Sequence, residues 1–178
     1  MTADHKDKWY MLTLVGEDQP GIVAHVSAAL YEGGCYLGET SMMRLGGNFT
    51  IMMMVRYAGT AHGLQEVVGG VAESLGLRLH IDPIQAHLHD HRLPDVRISV
   101  YGADRAGILA KVTGALAEAG LDILDLESDV AGTEEEPVYV MHIEGHAAEG
   151  IPALESALEI VRNEGIQATL QQVDTLIG

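Results

Sequence analysis

Two segments of the chain, "WYMLTLV" (9–15) and "DVRISVYG" (95–102), place apolar side chains at every second position. Such alternation predicts a β-strand with one face buried and the other facing solvent or a partner. The residues assigned to the buried faces are Tyr10, Leu12 and Leu14 in the first segment and Val96, Ile98 and Val100 in the second.

A helical period follows each of these strands. The stretches "VGEDQPGIVAHVSAALYEGG" (15–34) and "YGADRAGILAKVTGALAEAG" (101–120) align without a gap at an offset of 86 residues. Gly33-Gly34 and Gly120 stand where a left-handed cap ends a helix. Because self-similarity at a fixed offset sets the architecture, two copies of one small domain are predicted. The apolar helix stripes are Ile22, Val26 and Leu30 in the first copy and Ile108, Val112 and Leu116 in the second.

The remaining pattern completes the same order of elements in both copies. Two strands, an amphipathic helix and a final strand follow, with the turn "LGGN" in the first copy and the longer acidic loop "GTEEEP" in the second. The order β-α-β-β-α-β is that of the ferredoxin-like split arrangement. We predict an α+β fold of two tandem ferredoxin-like domains, each an antiparallel sheet with its helices on one face. The predicted domains span residues 1–88 and 95–178, with a polar linker at 89–94.

Charge and composition argue against nucleic acid and membranes as partners of this chain. Its 178 residues carry 10 Lys and Arg against 26 Asp and Glu, a formal net charge of −16. An acidic surface repels phosphate backbones, so direct nucleic-acid binding is not expected. No apolar run approaches the ~20 residues that a membrane span needs, and the N-terminus lacks a signal-peptide core. We therefore expect a cytoplasmic protein that does not enter membranes. The single cysteine, Cys35, is expected to act as a small apolar residue at the start of a strand.

The strand-to-helix turns "EDQPGI" and "ADRAGI" are the main candidates for a site. Pro20 suits the first helical turn, and Asp18 and Asp104 stand where a carboxylate can cap free N–H groups. Gly21 and Gly107 allow a ligand or another chain to approach closely. Two interpretations stay open: a well-capped turn, or a site for a small zwitterion. In the second, the helix N–H groups hold a carboxylate and the aspartate holds an ammonium.

These turns, each inside a β-α-β-β-α-β unit, resemble the opening of ACT domains, regulatory modules that commonly bind amino acids between paired domains. The stretches "DQPGIVAHVSAALYEGGC" and "SMMRLGGNFTIMMMV" are similar to the glycine cleavage system transcriptional repressor family. That resemblance implies two ACT domains without a DNA-binding domain. It also implies a protein that modulates a partner transcription regulator in response to glycine. No Gly-rich phosphate loop, nucleophile elbow or pair of catalytic carboxylates is visible in the sequence, so no enzymatic activity and no cofactor are expected.

The resemblance implies an amino-acid-binding regulatory protein, with glycine as one candidate ligand, whose domain arrangement changes on binding and which forms a homodimer. Contacts to the ligand are expected from both turns and from polar residues of the second strand. In the second turn Arg105 and Ala106 replace Gln19 and Pro20, so the two sites need not share a ligand. The expected ligand-binding residues are Asp18, Gln19, Pro20, Gly21, Ile22, Thr40, Ser41, Asp104, Arg105, Ala106, Gly107 and Ile108.

Two other functions stay open. The segment "HLHDHR" places His87, His89 and His91 at a period of two, a set that could serve a metal ion in a small metal-dependent enzyme. Closely spaced ligands on one segment rarely close a tetrahedral site, so no metal site and no catalytic residue are assigned. The other alternative is an interaction module that binds its protein partner with or without an amino acid.

Overall fold

The computed structural model describes residues 8–85, 92–103, 107–133, 135 and 137–173. The chain divides into two units, residues 1–88 and 89–178, and the described residues of each follow the order β-α-β-β-α-β. The first unit contains β1 (Lys8–Glu17), α1 (Ile22–Glu32), β2 (Tyr36–Leu45), β3 (Asn48–Tyr57), α2 (Ala61–Ser74) and β4 (Arg78–Ile84). The second contains β5 (Val96–Ala103), α3 (Ile108–Glu118), β6 (Leu121–Gly132), β7 (Pro137–Ala147), α4 (Ile151–Asn163) and β8 (Gln167–Gln172).

Both sheets are antiparallel, with strand orders β2-β3-β1-β4 and β6-β7-β5-β8. In the first sheet Leu12 lies opposite Met53. In the second, Ile98 lies opposite Ile143. Ile98 follows Leu12 by 86 positions and Ile143 follows Met53 by 90, the difference being the longer hairpin of the second copy. The repeat in the sequence is therefore also a repeat in the pairing of the strands. The predicted fold class is confirmed. The linker at 89–94 extends outside the described residues and stays a prediction.

The alternation along the central strands decides which sheet face is buried. The three residues assigned to the inner face of β1 are at most 2% exposed, and those of β5 are fully buried. Each set packs against the apolar stripes of the two helices of its own unit in one continuous cluster. Burying one such aliphatic side chain contributes roughly 1.5–3 kcal/mol. The helices therefore lie on one sheet face because that is where the alternating strands place their apolar residues.

The first helix of each unit ends on glycine, as predicted. Gly33 caps α1 and is followed by Gly34, whose φ is 73°, while Gly120 follows α3 with φ of 81°. A side chain is disfavoured in that left-handed conformation, so the glycines allow the chain to turn directly into the next strand. The longest described helix, α2, has 14 residues. None of the helices in the described parts of the chain could cross a membrane.

Adjacent residues of α1 test the buried face of this helix. Leu30 is fully buried, whereas Tyr31 is 80% exposed. Leu30→Ala is expected to lower the free energy of unfolding by about 2–5 kcal/mol, because it removes packed methyl groups and leaves a cavity. Tyr31→Ala should change it by less than about 0.5 kcal/mol. Urea denaturation followed by circular dichroism measures both variants, and equal losses would contradict the assigned face.

Candidate functional site

An open depression of about 520 Å³ lies where β1 passes into α1. The five predicted residues of the first turn, Asp18, Gln19, Pro20, Gly21 and Ile22, all line it. The neighbouring strands complete the depression with Met42 and Arg44 of β2 and Phe49 of β3. The structure therefore gathers the first predicted turn and the β2–β3 hairpin around one concave surface.

Gly21 shapes the backbone of the turn. It is the residue before α1, with φ of 90° and ψ of −3°, and a β-carbon there would lie 3.0 Å from the ring of His25. The Gly21 carbonyl oxygen accepts a hydrogen bond from the backbone N–H of His25 at 3.0 Å and lies 2.7 Å from Nδ1 of that ring. The helix thus begins at Ile22. The prediction that Pro20 occupies the first helical turn is wrong, because the left-handed glycine separates this proline from the helix.

Asp18 pairs with a strand and does not cap α1. Its carboxylate oxygen lies 2.5 Å from the guanidinium of Arg44, and the two side chains are 20% and 70% exposed. The backbone N–H of Asp18 donates to the carbonyl oxygen of Gly47 at 3.0 Å. The predicted cap at Asp18 is wrong: the residue before α1 is Gly21, no side chain caps the helix, and the Asp18 carboxylate pairs with Arg44. Both contacts join the turn to the β2–β3 hairpin.

Gln19 and Ile22 attach the turn to the rest of the domain. The Gln19 amide nitrogen donates to the carbonyl oxygen of Leu75, just after α2, at 2.7 Å. Ile22 is 2% exposed, so most of its side chain belongs to the core. Of the five predicted residues of this turn, Asp18 presents the ionised group, and the other four fix the position of the backbone around it.

Thr40 and Ser41 do not line the depression. They lie on β2 opposite Met53 and Met52, and the same strand contributes Met42 and Arg44 to the depression in their place. Side chains of β2 do border the turn, but they are those of Met42 and Arg44 and not those of Thr40 and Ser41.

Arg44 is the functional candidate that sequence reasoning missed. It lies opposite Phe49 on β3, and Phe49 in turn lies opposite Gly16 at the end of β1. Its position beside Asp18 therefore depends on the register of three strands. A signal was available in the segment "RLGGN", because a tight hairpin that pairs with the end of β1 carries the preceding arginine to that end of the sheet.

The second turn is described only in part. Asp104, Arg105 and Ala106 lie outside the described residues. Gly107 repeats the left-handed residue before a helix with φ of 87°, and Ile108 is 4% exposed. The two helix starts thus share a backbone conformation, and the ligand-binding role of the second turn stays a prediction.

Family models match both halves of the chain around these turns. One model of the ACT domain covers residues 10–82 and another covers residues 96–163. The chain is a tandem ACT-domain protein. Each matched range contains a strand-to-helix turn and the hairpin that follows it, so the depression lies inside the first ACT domain.

Curated relatives match one ACT-domain length of this protein. A UPF0237 protein of Listeria monocytogenes is 33% identical over 86 residues, which is 47% of this chain and 97% of the relative. The UPF0237 protein YjhC of Lactococcus lactis is 35% identical over 72 residues, 40% of this chain and 83% of the relative.

Solved structures share the fold of the tandem ACT-domain protein over nearly its full length. An unknown protein from Galdieria sulphuraria has a TM-score of 0.75 at 23% identity and covers 95% of this chain and 100% of its own. A protein described provisionally as a glycine cleavage system transcriptional repressor has a TM-score of 0.70 at 17% identity, with coverages of 94% and 98%. At these identities the likeness shows the fold.

A second depression, of about 440 Å³, lies in the second ACT domain beside Arg162 and β8. The Arg162 Nε donates to the carbonyl oxygen of Ala168 at 2.8 Å, and its two terminal nitrogens each lie 3.1 Å from the same carboxylate oxygen of Glu155. The guanidinium is thus engaged within its own domain. Arg162 joins α4 to β8 and is not offered to an anion.

The metal-binding alternative at His87, His89 and His91 lies outside the described residues. Across the described ranges, no group of three His, Cys, Asp or Glu side chains is placed to hold a metal ion. Cys35 is half-buried against the core of the first ACT domain. Burial raises the pKa of its thiol, which favours a packing role over a nucleophilic one.

Gly21→Ala tests the left-handed turn. A β-carbon in this conformation costs roughly 1–2 kcal/mol, and here it also meets the His25 ring. We expect the variant to be less stable by at least that amount in urea denaturation. Gly70→Ala is the matched control: Gly70 lies inside α2 with open space around it. The control should gain about 0.5–1 kcal/mol. A Gly21→Ala variant as stable as the parent would contradict the left-handed conformation of this residue.

The buried thiol makes a separate prediction about reactivity. Because burial raises the pKa of Cys35, a smaller fraction of it is thiolate at pH 8 than in the unfolded chain, and only the thiolate reacts. Alkylation by iodoacetamide should therefore be slower in the native protein than in urea, and its rate should continue to rise at pH values where the unfolded chain has levelled off. With one cysteine in the chain, mass spectrometry follows the reaction directly. A native rate as fast as the unfolded one would contradict the burial.

Proposed function

We propose that this tandem ACT-domain protein is a regulatory protein that binds a free amino acid in the depression beside Asp18 and Arg44. The observation that carries this proposal is a pair of opposite charges, 2.5 Å apart, in an open concave surface. A free amino acid carries one ammonium and one carboxylate. Arg44 offers a partner to the carboxylate and Asp18 offers one to the ammonium, so the ligand would insert between them or bridge them.

The start of α1 supports the same orientation of the ligand. The residue before the helix is Gly21, so no side chain caps the first turn. The exposed N–H groups of a helix start favour a carboxylate. The carboxylate of the ligand would therefore lie toward α1 and Arg44, and its ammonium toward Asp18.

ACT domains generally bind amino acids and regulate other proteins, and this chain has two of them. The structural neighbour described as a glycine cleavage system transcriptional repressor makes glycine the first ligand to test and a transcription regulator the first partner. We propose that the protein is cytoplasmic and forms a homodimer. Because its net charge of −16 opposes contact with nucleic acid, it would act on gene expression through another protein. Binding regulates only if the ligand prefers one arrangement of the protein over another.

A thermal-shift screen against the twenty amino acids at millimolar concentration tests the proposal. A ligand at 100 times its Kd stabilises the fold by about 2.7 kcal/mol, which raises Tm by several degrees. For the amino acid that binds, Asp18→Asn and Arg44→Gln should each abolish the shift. Arg78→Gln and Asp82→Asn on β4 change the same charges in the same domain away from the depression and should keep it.

Analogues of the ligand separate the two ends of the site. If glycine binds, glycinamide lacks the carboxylate and acetate lacks the ammonium, so neither should replace glycine. A flat screen with a well-folded parent would overturn the amino-acid proposal. The interaction-module alternative would then stand, and the half-exposed side chains of Met42, Met43 and Met52 on the β2–β3 hairpin favour it.

A further inference from the structure

Three exposed methionines of the first ACT domain lie together on the β2–β3 hairpin. Met42 and Met43 on β2 are 50% and 56% exposed, and Met52 on β3 is 47% exposed. An oxidant reaches an exposed thioether more readily than a buried one. The hairpin therefore offers its three thioethers to oxidants in solution. The methionines of the two cores, at most 8% exposed, are Met53, Met54 and Met141.

The fold does not require methionine at the exposed positions of β2. In the 86-residue repeat, Met42 and Met43 correspond to Ser128 and Asp129 of β6. Both strands pair antiparallel with the strand that follows them, and both have a bulge near their start. The second domain thus builds the same pair of strands without sulfur at these positions. The exposed methionines are a property of the surface of the first domain.

The single cysteine of the chain is a poorer target for oxidants. Cys35 is half-buried against the core, and burial raises the pKa of its thiol. Oxidation of a cysteine starts from the thiolate, so a raised pKa slows this reaction. A thioether needs no ionisation before it reacts. We therefore expect oxidation to begin at the hairpin methionines.

Met42 differs from the other two exposed methionines in the sheet face that it occupies. It lies opposite Ile51 on β3. Two residues further along β2, Arg44 lies opposite Phe49. Both β3 residues belong to the core and are at most 2% exposed. Since alternate residues of a strand share a face, Met42 and Arg44 project from the helix side of the sheet, where both line the depression, and Met43 projects from the other side.

We propose that the β2–β3 hairpin is a site of reversible methionine oxidation, and that the sulfoxide of Met42 alters the depression by binding Arg44. Hydrogen peroxide transfers one oxygen atom to the thioether sulfur. The S–O bond forms as the O–O bond breaks, the sulfur loses two electrons, and the peroxide leaves as water. Methionine sulfoxide reductases reverse the change with electrons from a thiol reductant.

Oxidation of Met42 places a hydrogen-bond acceptor beside a guanidinium. The thioether is a weak acceptor, whereas the sulfoxide is polar. In the reduced protein the Arg44 guanidinium lies 2.5 Å from the Asp18 carboxylate. The sulfoxide oxygen, two positions away on the same face, would compete with Asp18 for the N–H donors of Arg44. The depression would then have a polar wall and an arginine that is engaged by its own strand.

Peptide mass mapping during treatment with hydrogen peroxide tests the site of oxidation. In the folded chain Met42, Met43 and Met52 should be oxidised at least about tenfold faster than the buried methionines, because the oxidant must reach the sulfur. In urea the rates should become equal. Equal rates in the folded chain would overturn the proposal, and so would a Met42 that is protected while Met43 reacts.

NMR of arginine side chains tests the effect on Arg44 with no amino acid present. Met43→Leu/Met52→Leu keeps Met42 as the exposed methionine of the hairpin, and both replacements are conservative in size. Oxidation of this variant should shift the Arg44 Nε–H signal, which Arg44→Gln identifies by its loss. Reduction by both classes of methionine sulfoxide reductase, one for each epimer, should restore the signal.

Met42→Leu is the matched control, since it keeps Met43 and Met52. Its oxidation should leave the Arg44 signal in place. An Arg44 signal that does not respond to oxidation of Met42, or that shifts as far in the control, would overturn the proposal.

The effect on amino-acid binding rests on the proposed function and is measured separately. For an amino acid that binds in the depression, oxidation of Met43→Leu/Met52→Leu should raise the Kd by about tenfold or more, the loss expected for one hydrogen bond to a charged group. An unchanged Kd would contradict control of the depression by Met42. A flat amino-acid screen would overturn the proposed function, and the Arg44 signal would still decide this proposal.

Discussion

A four-stranded sheet with two helices on one side buries one of its faces against those helices, and the rest of each domain depends on this layer. The buried face of this tandem ACT-domain protein is set by alternating positions on the central strands, such as Leu12 in β1 and Ile98 in β5, which are completely covered by the helices of their own domains. The open faces, the outer edges and the turns lie outside this layer. They are free to differ between the two domains, and those differences carry the functional arguments.

The strand-to-helix turn is where the buried layer meets the site. Ile22 belongs to the core, and Gly21 directly before it must take a left-handed conformation for the helix to begin there. The remainder of the turn is fixed by two long-range contacts, from Gln19 to the end of α2 and from Asp18 to the β2–β3 hairpin. The depression is therefore held in shape by the fold around it, which is what a site for a small ligand requires, since ordering a flexible loop would cost binding free energy.

The sequence predicted the order of elements, the buried stripes and the glycine helix ends, because these depend on local periodicity and on a repeat that is visible without any structure. It failed where a position depends on contacts between distant segments. Pro20 and Asp18 were assigned to the helix start from local preference alone, and the left-handed Gly21 and the charge of Arg44 override that preference. Arg44 itself was missed, because its place beside the turn follows from the register of three strands.

The two domains differ most where the repeat could have kept them alike. Positions of the inner layer retain apolar residues in both copies, since any polar replacement there would lose burial. On the outer edge the same offset pairs Ser41 with Glu127 and Met43 with Asp129, although neither exchange affects the core. Packing therefore does not explain the difference, which lies on the exposed side chains of the two edge strands. In the first domain the edge strand also contributes the exposed side chains of Met42 and Arg44 to the depression, so residues on this strand can alter the lining of the candidate site without disturbing the core.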